Sequence, residues 1–256
     1  MTPRLYITAS LETGAAAALT GAQAHYLKNV LRRAAGDVVR VFNGRDGEFA
    51  GEIIEMKKKG GLVAVKAQTR EQEAEPDLTL CFAPVKRGPL EMIIQKATEI
   101  GVANFAPVLT ERTTAPKINI ERLQAIAIEA AEQCGRMSVP AVAPPQKLSQ
   151  MLNDWPAERL LMFCDEAGDD EEAEWGGRRG RAAPALDTLK AVDSKADGWA
   201  ALTGPEGGFS PAERTIIREK SFVTPVTLGP RILRADTAAI SALVLWQAAL
   251  GDWRRP

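Results

Sequence analysis

Two glycine-punctuated turns near the C-terminal end limit what this chain can fold into. Gly204-Pro205-Glu206-Gly207-Gly208 follows the apolar run Trp199 to Leu202 and precedes a helix start. Leu228-Gly229-Pro230-Arg231-Ile232-Leu233-Arg234-Ala235-Asp236-Thr237-Ala238 follows Val223 to Leu228 and precedes another. Both read as strand-to-helix turns, and such turns at the carboxyl ends of parallel strands are where open α/β sheets bind ligands. Glycines there take positive φ at little steric cost and let a ligand come close to main-chain N–H and C=O groups. For one such turn, a tight reversal without a ligand is the plain alternative. The second turn, with Arg231 and Arg234 ahead of Asp236-Thr237, makes the pair harder to explain that way.

The surrounding pattern predicts the sheet. Leu78 to Ala83 reads as a strand; Leu90, Ile93, Ile94, Ala97 and Ile100 have helical spacing and stop at Gly101; Phe105 to Leu109 is a strand again. Leu123, Ile126, Ala127, Ala130 and Cys134 mark the next helix, and Leu160 to Cys164 and Ala200 to Thr203 are further short apolar strands. Ser210-Pro211-Ala212-Glu213 is a capping box with proline at the first helical position. Ile240, Leu243, Val244, Gln247 and Leu250 form the face of a last helix. Alternating strands and helices imply a mainly parallel sheet covered on both sides, so the fold class is α/β.

The N-terminal part reads differently. Val38 to Phe42, Glu48 to Met56 and Leu62 to Ala67 are β-rich runs separated by Asn43-Gly44, Asp46-Gly47 and a basic turn, the pattern of hairpins in a small barrel or meander. Residues 71–77, acidic and containing Pro76, read as a linker. The expected organisation is a β-module over 1–70, the linker 71–77, and an α/β domain over 78–256.

Net charge is -1, so the chain is no polycation that coats nucleic acid indiscriminately, yet from Arg4 to Arg70 basic residues outnumber acidic ones. That asymmetry favours a phosphate-binding N-terminal module. His25 to Arg33 is expected to be helical, with Leu27, Val30 and Leu31 on one face and Lys28, Arg32 and Arg33 elsewhere. A solvated basic face and an RNA-binding face fit that pattern equally well. Lys86 and Arg87 follow the Leu78–Ala83 strand, on the same sheet edge as the glycine turns; they are either surface cations or a grip on a phosphate.

Cys81, Cys134 and Cys164 are widely spaced with no CxxC, and His25 is the only histidine, so no metal site is indicated and no Ser-His-Asp triad is available. The apolar run Gly14 to Leu19 is too short to span a bilayer and has no basic start, so the expectation is a cytoplasmic protein without membrane attachment. Asp165 to Lys195 breaks the strand and helix rhythm with an acidic patch and then Arg178, Arg179 and Arg181; it reads most simply as a solvated insertion.

The two glycine turns, together with His25 to Arg32, Gln95 to Val102 and Glu129 to Arg136, resemble the SPOUT superfamily of knotted RNA methyltransferases. Within it the similarity is to the enzymes that methylate N3 of a uridine in bacterial 16S ribosomal RNA, and it spans nearly the whole chain apart from Asp165 to Lys195. The resemblance implies a C-terminal trefoil-knot domain behind a PUA-like N-terminal β-barrel, and a homodimer that pairs next to the cofactor. It implies S-adenosyl-L-methionine as cofactor, no metal, and 16S ribosomal RNA or the small ribosomal subunit as partner. It places Leu202, Thr203, Gly204, Gly208, Leu228, Gly229, Ile232, Leu233, Arg234 and Ala238 around the cofactor. With it, Arg4, His25, Lys28, Arg32, Arg33, Lys86 and Arg87 become the RNA-binding candidates. Asp236 stands where the family mostly carries glutamate, one methylene longer.

Uridine N3 carries a proton at neutral pH that must leave before or during attack. Arginine cannot accept it but stabilises the anion that forms. Arg234 is the first candidate for that role and Arg231 the second, with Glu206 or Asp236 orienting the arginine or relaying the proton. A salt bridge from Arg234 to a carboxylate is the alternative. Two other functions stand beside this one: a SPOUT methyltransferase acting on a different rRNA or tRNA nucleotide, and a non-enzymatic RNA-binding assembly factor.

Overall fold

The computed structural model describes every residue except Met1, 115–116, Glu171, 193–197 and 255–256. The chain forms two compact units. One takes residues 1–74 together with 128–139, and the other takes 75–127 and 140–256.

The first unit is a five-stranded sheet in the order β1-β3-β4-β5-β2, built from β1 (Arg4–Tyr6), β2 (Ala16–Thr20), β3 (Val38–Phe42), β4 (Glu48–Lys57) and β5 (Gly60–Arg70). Only β1 and β3 run parallel; the other pairs are antiparallel. Leu5, Val39, Val41, Ile53, Val63 and Val65 close a core against Leu27. The turn between β3 and β4 is set by Asn43, whose Oδ1 accepts from the N–H groups of Arg45 and Asp46. Gly47 has φ +89°, and an added Cβ would meet the Arg70 carbonyl oxygen, so only glycine fits there.

Helix α1 (Gly21–His25) starts at a capping box that Thr20 makes with Gln23. It continues as one wide turn, Tyr26–Val30, in which the Leu31 N–H reaches back to the Tyr26 carbonyl. Arg32 then takes φ +55°, so helical structure ends at Val30 and does not run to Arg33. Widening the turn swings Val30 outward, and it is exposed although the helical spacing placed it with Leu27.

The second unit is a parallel sheet in the order β12-β10-β11-β6-β7-β8, with β9 beside β7. Its strands are β6 (Leu78–Phe82), β7 (Asn104–Leu109), β8 (Ala141–Val142), β9 (Gln146–Lys147), β10 (Arg159–Cys164), β11 (Gly198–Thr203) and β12 (Val223–Val226). The helices are α2 (Arg87–Ile100), α3 (Ile120–Cys134), α4 (Leu148–Asn153), α5 (Ala185–Ala191), α6 (Pro211–Arg218) and α7 (Ala235–Ala249). Every residue of β11 is buried, as a central strand covered on both faces requires. Ala200 and Leu202 pack with Leu148, Met151 and Ile217 from α4 and α6, and Trp199 meets Trp246 of α7 on the opposite face.

Helix boundaries follow local chemistry. Helix α2 ends at Gly101 with φ +103°, and α6 starts on the Ser210–Glu213 capping box with Pro211 first. The last turns of α3 and the segment to Val139 belong to the first unit, where Arg4 donates to the Ala131, Glu132 and Arg136 carbonyls and Arg70 to the Gly135 carbonyl. Cations on the carbonyls of a helix end offset both the missing hydrogen bonds and the dipole.

Candidate active site

A cavity of about 670 Å³ opens at the carboxyl ends of β10 and β11, in the size range of a cofactor site. Thr203 ends β11 and opens the first glycine turn, which the Gly208 N–H closes on the Pro205 carbonyl. Gly208 has φ +67°, and a Cβ there would stand 3.1 Å from the Trp175 indole. A Cβ at Gly204 would meet the Phe209 ring at 2.8 Å, and that ring is itself packed edge-on against Phe163. Outside the turn, Arg112 donates to the Gly207 carbonyl at 2.9 Å.

The second turn hangs on one carboxylate. Glu166 Oε1 accepts from the Leu228 N–H at 2.7 Å, and Oε2 accepts from the Thr227 hydroxyl at 2.8 Å. Burial pushes the Glu166 carboxyl above the usual range, against the pull of those two donors and of Arg181. Gly229 has φ +128° with no atom near the position of a Cβ, so its requirement is conformational. Ile232, Leu233, Ala235 and Ala238 give the cavity its apolar side.

The head of the stretch after β10 does not behave as a solvated insertion, whereas Glu172, Glu174, Arg178 and Arg179 farther along it are exposed. Asp165 is 2% exposed and receives Arg214 (Nε to Oδ1, 2.7 Å) and Arg218 (Nε to Oδ2, 2.6 Å) from α6. Arg214 also donates to the carbonyls of Ala167 and Gly168, and Arg218 to that of Gly180. Gly168 and Gly176 approach so closely that neither tolerates a Cβ. Asp165 to Asp170, Ala173, Trp175 and Gly176 therefore line the cavity, while Glu171 and 193–195 of that stretch lie outside the described residues. The acidic run reads as solvated only while its partners, about fifty residues away, are unknown. Its position just past the end of an apolar strand is the one local signal that marked it. Cys164 lies at the cavity floor, its thiol pushed up by burial and by the neighbouring Glu166 and Asp165.

Of the residues expected at the cofactor, Thr203, Gly204, Gly208, Ile232, Leu233 and Ala238 line the cavity. Leu202 lies in the core beneath it, Leu228 is tied to Glu166, and Gly229 shapes the turn from outside. Glu206 lines it; Arg231 and Arg234 are exposed beside lining residues without entering the wall.

Among the RNA-binding candidates, His25, Lys28 and Arg32 are exposed and Arg33 is half-buried. Arg4 is corrected: its guanidinium is bound to Glu48 at 2.7 Å and to three carbonyls, and it lies over the Phe42 ring, which leaves it no free face for a phosphate. Arg87 pairs with Glu91 at 2.8 Å. Lys86 instead lines a second cavity with Arg112, Thr114, Glu206 and Gly207. Sequence reasoning missed Arg112, Glu166, Trp175, Arg214 and Arg218. Among the described residues, no group of three or more His, Cys, Asp or Glu is placed to hold a metal ion, and no helix is long and apolar enough to cross a membrane.

Residues 72–247 match the model of an RNA methyltransferase domain, and residues 19–66 match that of an RNA methyltransferase PUA domain. The chain is 33% identical to the ribosomal RNA small subunit methyltransferase E of Synechocystis over 98% of its own length and 78% of that protein's. It is 30% identical to the protein of the same name from Rickettsia conorii, covering 94% of this chain and 93% of that one. Among solved structures, a Legionella pneumophila protein described as a methyltransferase, in complex with S-adenosylmethionine, superposes with TM-score 0.83 and 30% identity over 98% of this chain and 99% of that one. The ribosomal RNA small subunit methyltransferase E of Neisseria gonorrhoeae, bound to S-adenosylmethionine, gives 0.82 and 26% over 99% and 100%.

Proposed function

This chain belongs to the RNA methyltransferase family, and from that membership we propose that it methylates N3 of a uridine in 16S ribosomal RNA of the small subunit, with S-adenosyl-L-methionine as donor. The observation that carries the reading is that one cavity is framed by both glycine turns at the carboxyl edge of the parallel sheet.

The lining suits that cofactor. Gly204 and Gly208 put main chain on the cavity wall, Ile232, Leu233 and Ala238 supply an apolar slot, and Glu166, Asp170 and Glu206 supply acceptors for ammonium and hydroxyl groups. When bound, the cofactor supplies an electrophilic methyl group on a sulfonium. Asp165 does not add to the charge offered to a ligand, because Arg214 and Arg218 already neutralise it. The Asp165 pair instead fixes the far wall, and Glu166 holds the second turn in place. Glu206, on the cavity wall, takes the N3 proton, and Arg234, beside the lining residues Leu233 and Ala235, stabilises the anion that proton loss creates. His25, Lys28, Arg32 and Arg33 on the N-terminal unit supply phosphate contacts. The working unit is a cytoplasmic homodimer.

Mass mapping of 16S ribosomal RNA from cells with and without the protein is the test. One N3-methyluridine that disappears with the protein supports the reading; loss of a different modification, or of none, overturns it.

A further inference from the structure

Beside the cofactor cavity lies the second one, of about 510 Å³, lined by Lys86, Arg112, Thr114, Glu206 and Gly207. Arg112, Glu206 and Gly207 belong to both walls, so the two cavities meet at the first glycine turn. Neither Lys86 nor Arg112 has a carboxylate partner among the described residues, whereas Arg87 and Arg122 nearby are both taken up by Glu91. Two cations without a carboxylate partner, one of them steadied by the Gly207 carbonyl, and a single carboxylate at the junction form an uneven charge pattern. A polyanion with a hydrogen-bond donor on its base edge matches it.

We propose that this second cavity seats the acceptor nucleotide of the RNA, with Lys86 and Arg112 on its phosphate and Glu206 on the N3–H of its uracil. The inference rests on the uridine-methylating function above and adds the residues that choose the base. Uracil presents a donor at N3 between two carbonyl acceptors, and a carboxylate accepts from that donor. Cytosine presents a lone pair at N3, which the same carboxylate repels. Base edges are open to this kind of reading where RNA is single-stranded. The Arg112 hydrogen bond to the Gly207 carbonyl makes it the residue that registers the two cavities against each other.

The test uses the full chain, saturated with S-adenosylhomocysteine, and RNA oligonucleotides spanning the modified site with uridine or cytidine at that position. Lys86→Ala and Arg112→Ala are each expected to weaken binding about three- to tenfold and to reduce the log–log salt slope by about one. Cofactor affinity of Lys86→Ala, measured by calorimetry, should stay within about twofold. Glu206→Gln should erase a uridine preference of about tenfold or more in the parent protein, because an amide can donate to cytosine N3 as well as accept from uracil. An unchanged salt slope in both cation variants, or a base preference that survives Glu206→Gln, overturns the assignment. If the parent protein fails to bind cofactor or to modify ribosomal RNA, the function itself falls, which is a separate result.

Discussion

The two glycine turns look alike in sequence and are held in opposite ways. The first is held by packing: Phe209 fills the space beside Gly204, Trp175 lies over Gly208, and Arg112 binds the Gly207 carbonyl. The second is held by one half-buried carboxylate, Glu166, and its Gly229 faces open space. A glycine is needed at 204 because Phe209 is close, at 208 because of both φ and Trp175, and at 229 because of φ alone. The first turn is therefore intolerant of volume, and the second is sensitive to hydrogen bonding and pH.

The largest effect should come from Gly208→Val. A β-branched residue at φ +67° is strained, and its Cβ stands 3.1 Å from Trp175. We expect cofactor affinity to fall about 100-fold or more, equivalent to about 3 kcal/mol, with the fold retained by circular dichroism. Unchanged affinity in the folded variant would remove the packing half of the comparison.

Glu166→Ala comes next. It strips the Leu228 N–H of its acceptor and leaves the Thr227 hydroxyl only the Gly229 carbonyl, a loss of about 1–2 kcal/mol, so calorimetry should show cofactor binding about tenfold weaker. Gly229→Ala should cost less than either, about 1 kcal/mol of backbone strain and a few-fold in affinity, because nothing occupies the space its methyl group would enter. If Gly229→Ala proves as damaging as Gly208→Val, the second turn is also a packed one and the contrast fails.

The smallest effect is in pH. Burial raises the folded-state pKa of Glu166 above its ordinary value of 4.5, so its contribution to stability is fully present below about pH 4.5 and is lost as pH rises through the raised value. Glu166→Gln carries no such penalty and keeps an acceptor for the turn. Relative to the parent protein it should melt a few degrees higher at pH 8 and at the same temperature near pH 4.5. Equal melting differences at both pH values would show that the carboxylate is not charged against its surroundings.

Much of the scaffold was legible in the sequence for local reasons. The helical spacing of α2, the Ser210–Glu213 capping box and the Gly101 stop report interactions within a few residues, and the structure contains them as read; α7 is there too, but it buries Ala235, Ala239, Ala242, Leu243 and Trp246 rather than Ile240, Val244 and Leu250, and Cys134 of α3 is exposed. The two turns were legible too, because glycine after an apolar run has few conformational uses. The wide turn at Tyr26–Val30 was not, since i to i+5 bonding leaves no mark on residue choice that distinguishes it from an ordinary helix.

Charged residues divide the two levels most sharply. From sequence, Asp165 and Glu166 head a solvated acidic run and Arg4 is a phosphate-binding cation. In the fold, Asp165 is buried against two arginines of α6, Glu166 is the clasp of a turn about sixty residues away, and Arg4 caps the end of α3. What a charge does depends on its desolvation and on the partner within about 4 Å, and both are set by segments far off in the chain. The sequence by itself determined the α/β rhythm, the turns at the sheet edge and the family. Only the tertiary structure decided which charges are spent in holding the cavity together, Asp165, Glu166, Arg214 and Arg218 among them, and which, as Lys86 does, lie at its edge without a carboxylate partner among the described residues.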